Sequence, residues 1–419
     1  MPKNWKTYKL DKVADVIDSL HKTPKYSDSG YPMIRAQEIV GGNLKLEGAA
    51  LVSQEVFDDF SKNHSSQIGD LVFSRVGAHS GKVSYVSTKI PFCLGQNTVF
   101  IIPKKIDNRF LYYILSSPIS KEQIEQQAVV SSYKTISLKT IRGLKISLPP
   151  LPEQRVIASI LSALDNKIEN NLAMNKTLED MAMALYKHWF VDFGPFQEGN
   201  FIDSELGPIP EGWEVKRLDD LCEKIYSGGT PKTKVQEYWN GSIPWLSSGE
   251  TRANLILETE KTITQLGLDK SSSKMAYKYD IVIASAGQGK TRGQTSLLLI
   301  DTSVNQSVLC LRANKKKIHP LTLYYDLRFR YNQFRHISDS FSTRGSLTTK
   351  LIGEQILLAV PPIEHQIGFH GQLLKSMELQ ESNLLENISL IQLRDTSLPK
   401  LISGEVRVKD AEKLVSAAL

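Results

Sequence analysis

Apolar positions along the chain follow two alternating regimes, and the alternation happens twice. Up to about residue 150, short runs of Val, Ile, Phe and Tyr are broken by Gly, Ser, Asn and Pro. Asp70 to Arg75, Lys82 to Ser87 and Thr98 to Ile102 read as strands with turns, and Asp107 to Ser116 as a helix among them. Pro149-Pro150 closes this region, since neither residue suits a helix interior. The period then changes. Ile157, Leu161, Leu164, Ile168, Asn171, Asn175, Leu178, Ala182, Leu185 and Trp189 recur in alternating steps of four and three, a heptad seam. A second seam runs through Ile367, His370, Leu374, Met377, Glu381, Leu384, Ile388 and Ile391, with its helix expected to end near Pro399 and Gly404 as the stop signal. Each run covers about 35 residues, roughly 50 Å at 1.5 Å per residue. That exceeds the width of a domain of about 150 residues, so the two helices are predicted to pair antiparallel as a spacer. Asn171, Asn175 and Glu381 in the seams would lower stability but fix register, or equally face a third partner.

The two regimes repeat because the chain is built twice. "NWKTYKLDKVADV" from Asn4 returns as "GWEVKRLDDLCEK" from Gly212, and Thr23-Pro24 returns as Thr230-Pro231. "GDLVFSRVGAHSGKVSYV" from Gly69 returns as "YDIVIASAGQGKTRGQTSLL" from Tyr279, and "LGQNTVFII" from Leu94 as "SVNQSVLCL" from Ser303. Leu111-Tyr112-Tyr113 returns as Leu323-Tyr324-Tyr325, and "PPLPEQ" at Pro149 as "PPIEHQ" at Pro361. Matches in one order over the whole chain indicate tandem duplication. The predicted fold class is α+β: two similar mixed α/β domains separated by two long antiparallel coiled-coil helices, in an internal pseudo-two-fold repeat. Predicted boundaries are residues 1–150 and 205–361 for the domains, with helical segments over 151–204 and 362–419.

Composition narrows the class. Hydrophobic residues at 41% and charged residues at 23% are ordinary for a globular protein. No apolar run reaches the length of a membrane span and no secretory h-region opens the chain, so a cytoplasmic protein is expected. Cys93, Cys222 and Cys310 are scattered and offer no zinc spacing. The net charge of +6 permits a nucleic-acid partner without requiring one.

"DIVIASAGQGKTRG" (Asp280 to Gly293) looks like a phosphate-binding loop. The Walker pattern needs a glycine where Ala284 stands, and the first repeat carries a worse version around Gly77 and Gly81. A nucleotide-dependent enzyme using residues 280–293 is therefore a weak alternative. Such a loop can still offer backbone N–H groups and the charges of Lys82, Lys290 and Arg292 to DNA phosphate, or be a plain hairpin turn. Asp203, Glu214 and Lys216 match a nuclease pattern only loosely; the double prolines lack the Asn or Asp of an adenine methyltransferase loop; His365 and His370 are badly spaced for a metal. No catalytic and no metal-binding constellation emerges. Two diverged modules on a stiff spacer suit a split, asymmetric DNA target with half-sites about one helical turn, roughly 34 Å, apart.

"LPPLPEQRVIASILSALDNKIENN", "LYKHWFVDFGPF" (Leu185 to Phe196), "VPPIEHQ" and "LPKLISGEV" (Leu398 to Val406) strongly resemble the conserved regions of the specificity subunit of type I restriction-modification systems. The resemblance covers the whole chain and implies a non-catalytic subunit without a cofactor of its own. Each variable domain would be a target recognition domain for one half of a bipartite site on double-stranded DNA. Two modification subunits using S-adenosylmethionine would dock on the spacer and methylate adenine, and restriction subunits using ATP and magnesium would cleave. Spacer and docking residues are expected to be Leu161, Leu164, Ile168, Leu178, Leu185, Trp189 and Phe190, with Leu374, Met377, Leu384, Ile388 and Ile391. DNA contacts are expected from Lys22, Lys25, Arg75, His79, Lys82 and Lys134 in the first domain, and from Lys232, Lys234, Gln288, Lys290, Arg292 and Arg344 in the second. Gln96-Asn97 and Asn305-Gln306 recur in both halves and read as structural turns. A coiled-coil scaffold that binds only proteins remains the other alternative.

Overall fold

The computed structural model describes residues 2, 4–127, 135–287, 290–341, 345–406 and 408. It divides into two compact units, Met1–Asn170 with Asn387–Leu419, and Asn171–Glu386. Each unit holds one mixed α/β domain and one part of each long helix.

In the first unit, Lys6–Lys9 pairs antiparallel with Lys145–Leu148, joining the start of the domain to its end. The main sheet orders Ala14–Asp18, Thr98–Pro103, Leu71–Ser74 and Val83–Tyr85, all antiparallel. A smaller sheet holds Tyr26–Ser27, Ala50–Val52, Tyr31–Ile34 and Cys93–Leu94, the last pair parallel. The central strand Leu71–Ser74 is an unbroken buried run because both faces are covered. Leu71 and Phe73 point into a core shared with the helices, and Val72 points into a second core with Ile34, Leu94 and Phe100. Asp107 caps the helix Asn108–Ser116, its carboxylate accepting from Phe110 N at 3.0 Å.

The second unit repeats this plan. Glu214–Arg217 pairs with Leu357–Val360. The main sheet orders Cys222–Ser227, Val308–Ala313, Ile281–Ala284, Thr295–Leu298 and Leu255–Ile256. The smaller sheet again contains one parallel pair, Trp245 and Leu246 beside Ser303 and Val304.

The long helices are Leu151–Phe190 and Ile363–Ser403, of 40 and 41 residues. The recurring glutamine at their starts has a structural task. Gln154 donates from Nε2 to Pro149 O at 2.9 Å, and its Oε1 accepts from Asp107 N at 2.9 Å. Gln366 does the same with Pro361 O at 2.9 Å and His319 N at 2.7 Å. Each side chain is fully buried and ties a double proline to the capping residue of a domain helix. The aromatic run closing the first long helix also packs inward: Phe190, Phe193 and Phe196 surround Trp213, all with ring centroids 5.3–5.8 Å away. In the first unit Trp5 holds the matching place, against Gly404 at the end of the second helix.

Two helix expectations change. The second helix runs through Pro399 and ends at Ser403, since Leu398, Leu401 and Ile402 pack into the first core and outweigh one lost backbone bond. Gly404, at φ +73°, is the stop. The buried stripe of this helix also lies beside the expected seam. Gln366, Phe369, Leu373, Met377, Gln380, Asn383, Asn387 and Leu390 are buried, whereas Leu374 and Ile391 are 44% and 39% exposed. Leu384 and Ile388 are half-buried, so only Met377 of that seam is fully inside. In the first helix Leu161, Leu164 and Ile168 are buried in the core of the first unit and Phe190 in that of the second, which leaves them no surface for docking a partner, and Leu178, Leu185 and Trp189 are half-buried.

Candidate nucleic-acid interface

In each domain, several loops converge at one end of the main sheet. The register fixes this: Asp18 lies opposite Val99, Ser74 opposite Thr98, and Phe73 opposite Val83. The loop after Ala14–Asp18, the turn at 95–97, the glycine loop 75–82 and the segment entering Leu138–Arg142 therefore emerge together. Backbone bonds stitch them. Ser19 N donates to Thr98 O at 3.2 Å, Arg75 N to Asn97 O at 2.9 Å, and Ile136 N to Arg75 O at 2.8 Å. Two of these bonds recur in the second domain, Ser285 N to Ser307 O at 2.9 Å and Leu347 N to Ser285 O at 2.8 Å, while Gly228 N reaches Asn305 O at 3.2 Å in place of the residue equivalent to Thr98.

The ladders correct two alignments read from the sequence. The turn in the first domain aligns Gln96 with Gln306 and Asn97 with Ser307, one residue away from the pairing of Gln96-Asn97 with Asn305-Gln306. Both segments are turns, with Asn97 at φ +64° and Asn305 Oδ1 accepting from Ser307 N at 2.9 Å. In the glycine loops, Gly81 N returns to Ser74 O and Gly293 N to Ala284 O, each at 2.9 Å, with φ +83° and +84°. Gly81-Lys82 thus corresponds to Gly293-Gln294, not to Gly289-Lys290. Lengths differ between the loops, which hid the equivalence. Both loops connect antiparallel strands, so neither leads from a strand into the helix N-terminus on which a Walker loop seats phosphate.

The structure brings the described candidate residues to this end of each domain and sorts them. Lys25, Lys82, Lys232, Lys234 and Lys290 are exposed. Lys22 is exposed but pairs with Asp59 Oδ2 at 3.0 Å. His79 is half-buried. Arg75 is engaged within the protein, its Nη1 donating to both Asp18 oxygens at 2.9 and 3.0 Å and its Nε to Ile136 O at 2.9 Å. Arg292 likewise bonds Gly345 O and Asp339. These two arginines hold the glycine loops against the following segments. Lys134, Gln288 and Arg344 lie outside the described residues.

Other site features escaped the sequence reading. The loops after the parallel strands carry Glu38 and Glu250, which accept from the backbone N–H three residues earlier, Arg35 N at 2.8 Å and Ser247 N at 2.7 Å. The repeated spacing from Pro32 to Glu38 and from Pro244 to Glu250 was the available signal. Each domain is also tied to the first long helix by an asparagine–arginine–glutamate set. Asn43 donates to Glu169 at 2.8 Å and accepts from Arg109 at 3.0 Å. Asn254 accepts from Arg328 at 2.6 Å, and Arg328 pairs with Glu179 at 2.8 Å. Burial raises the Glu179 carboxyl above its ordinary range, opposed by the Arg328 charge. Burial pushes the Cys93 thiol up to about 12, the reverse of an activated nucleophile. Among the described residues no group of three His, Cys, Asp or Glu is placed to hold a metal, and no helix is long and apolar enough to cross a membrane.

Comparison with known proteins agrees with this duplicated architecture. A family model described as the type I restriction modification DNA specificity domain matches twice, over residues 2–180 and 210–368. The chain is 26% identical to the type I restriction enzyme MjaIX specificity subunit of Methanocaldococcus jannaschii, over 98% of this chain and 95% of that one. It is 23% identical to the type I restriction enzyme HindI specificity subunit of Haemophilus influenzae, over 81% and 86%. Its fold matches a crystal structure of a type I restriction-modification S subunit from M. genitalium, with a TM-score of 0.58, 18% identity, and coverage of 95% and 96%.

Proposed function

Given that the chain belongs to the type I restriction-modification DNA specificity family and is a specificity subunit, the non-catalytic subunit of its enzyme, we propose that each of its two domains binds one half of a bipartite, asymmetric DNA target. The observation that carries this reading is one cluster of loops, bearing exposed lysines, at the same end of the sheet in both domains. Exposed lysines there supply the phosphate attraction that any duplex binder needs. The loops differ in length and side chains between the domains, as two different half-sites require.

The long helices are the docking surface for two modification subunits. Leu172, Met174 and Met181 on the first helix and Ile367, Leu374 and Leu385 on the second are 44–62% exposed, an apolar surface that a partner would cover. S-adenosylmethionine would act in those partners, and ATP with magnesium in restriction subunits that join them in the cytoplasm. The test is a methylome. This chain is expressed with its neighbouring methyltransferase in a host free of adenine methylation, and methyladenine is mapped. The expected result is a split motif with a fixed gap, absent when this chain is omitted. Identical methylation without the chain would overturn the reading in favour of a protein-only scaffold.

A further inference from the structure

Two domains that read different half-sites should differ wherever they touch bases. What they share at the reading end therefore points to what every DNA site shares, the sugar-phosphate backbone. Two shared elements stand there. Thr-Pro-Lys occurs as Thr23-Pro24-Lys25 in the first domain and Thr230-Pro231-Lys232 in the second, on the loop leaving the first strand of the main sheet. The strand register brings a glutamine, Gln96 or Gln306, to the neighbouring turn. The lysine is exposed in both domains, and among the described residues no carboxylate pairs with it, in contrast to Lys22, held by Asp59.

The second domain shows how the parts cooperate. Thr230 Oγ1 donates to Gln306 Oε1. A carboxamide whose oxygen is occupied in this way presents its two Nε2 hydrogens elsewhere. Gln306 is exposed, so its carboxamide is open to a ligand from solvent. Pro231 is buried and fixes the backbone between Thr230 and Lys232. Trp239 Nε1 donates to Lys232 O at 3.3 Å, securing the backbone that carries the ammonium group. A neutral donor and a cation on adjoining, braced loops are suited to phosphate oxygens.

We infer that the Thr-Pro-Lys loop and the turn glutamine form a sequence-independent phosphate clamp, present once in each domain, with base reading left to the loops that differ. This rests on the proposal that the domains bind DNA. The clamp sets affinity and seats each domain on the duplex, and it carries no information about the target sequence.

The experiment uses the complete complex of this chain with its methyltransferase and two duplexes. One carries the motif found by the methylome and the other has one half-site scrambled. Affinities are measured across a salt series for wild type, Lys232→Ala, Lys25→Ala with Lys232→Ala, and Gln306→Ala. Loss of each lysine is expected to lower the slope of log K against log salt by about 0.9. Each variant should weaken binding to both duplexes by the same factor, and the methylated motif should stay the same. Gln306→Ala should weaken both duplexes without changing the slope, because its side chain is uncharged. A motif relaxed at one base, or a loss confined to the cognate duplex, would make these residues base readers and overturn the clamp. Unchanged affinity and slope would also overturn it. If wild type fails to distinguish the two duplexes, the failure belongs to the underlying DNA-specificity reading.

Discussion

At the scale of single residues, many of the repeated letters prove to be joints. Gln154 and Gln366 were legible as a motif, but their task depends on partners 47 residues away in each case, Asp107 and His319. No local pattern announces such a partner. Arg75 and Arg292 illustrate the same limit, since a basic residue in a glycine loop looks available for DNA until its acceptors are known. His319 carries a testable consequence. It caps the helix Pro320–Phe329, its Nδ1 accepting from Leu321 N at 3.2 Å, and its ring stacks on His370 with centroids 4.2 Å apart. Burial, then the neighbouring His370 and Lys315, lowers its pKa from 6.5 to about 4. Between those values the unfolded chain binds the proton and the folded chain does not, so stability falls as pH drops from 6.5 towards 4. His319→Asn keeps a capping acceptor and removes the titration. Its urea midpoint, compared with wild type from pH 7.5 to 4, should fall less steeply with acid. Parallel profiles would show that His319 does not contribute to the acid dependence.

At the scale of elements, strands and short helices were legible because their apolar letters coincide with their buried positions. Leu71–Ser74 and Asn108–Ser116 lie inside the stretches expected for them. The second long helix departs because its buried face is partly amide. Gln366, Gln380, Asn383 and Asn387 are inside while Ile367, Leu374 and Ile391 are out, so hydrophobic periodicity selects the neighbouring stripe. Asparagines bond across the helix pair, while the buried Nε2 of Gln380 has no hydrogen-bond partner among the described residues. Asn383 donates to Asn175 Oδ1 at 2.8 Å, Asn175 to Gln380 O at 3.2 Å, and Asn171 to Glu386 at 2.7 Å. Such bonds contribute little net stability but penalise mismatched pairing. Asn383→Ala should cost about 1–3 kcal/mol in urea unfolding, because it strands the Asn175 oxygen. Replacing Asn175 and Asn383 together with Leu should recover most of that loss. A double variant less stable than the single would mean that the amides serve more than their mutual pairing.

At the scale of the whole molecule, duplication was the most legible feature, and it carries a prediction that a scaffold does not share. Order alone reveals a repeat, since six weak matches in one order need no partner information. Loop length, by contrast, is free to drift once the sheet register is fixed, and it is in the loops that the repeat was misaligned. The same freedom makes the domains exchangeable. The second domain enters through Glu214–Arg217 and leaves through Leu357–Val360, paired side by side, so its two chain ends meet at one place. A domain with adjacent ends can be replaced without moving the segments it connects. Residues 205–361 exchanged for the corresponding domain of another family member should alter one half of the methylated motif. The other half should persist, because residues 1–150 are untouched. Methylome sequencing of the hybrid with the same methyltransferase reads both halves at once. Change in both halves would mean that the domains read the target jointly. Change in neither would remove sequence recognition from the second domain, leaving its loop cluster without the role assigned to it.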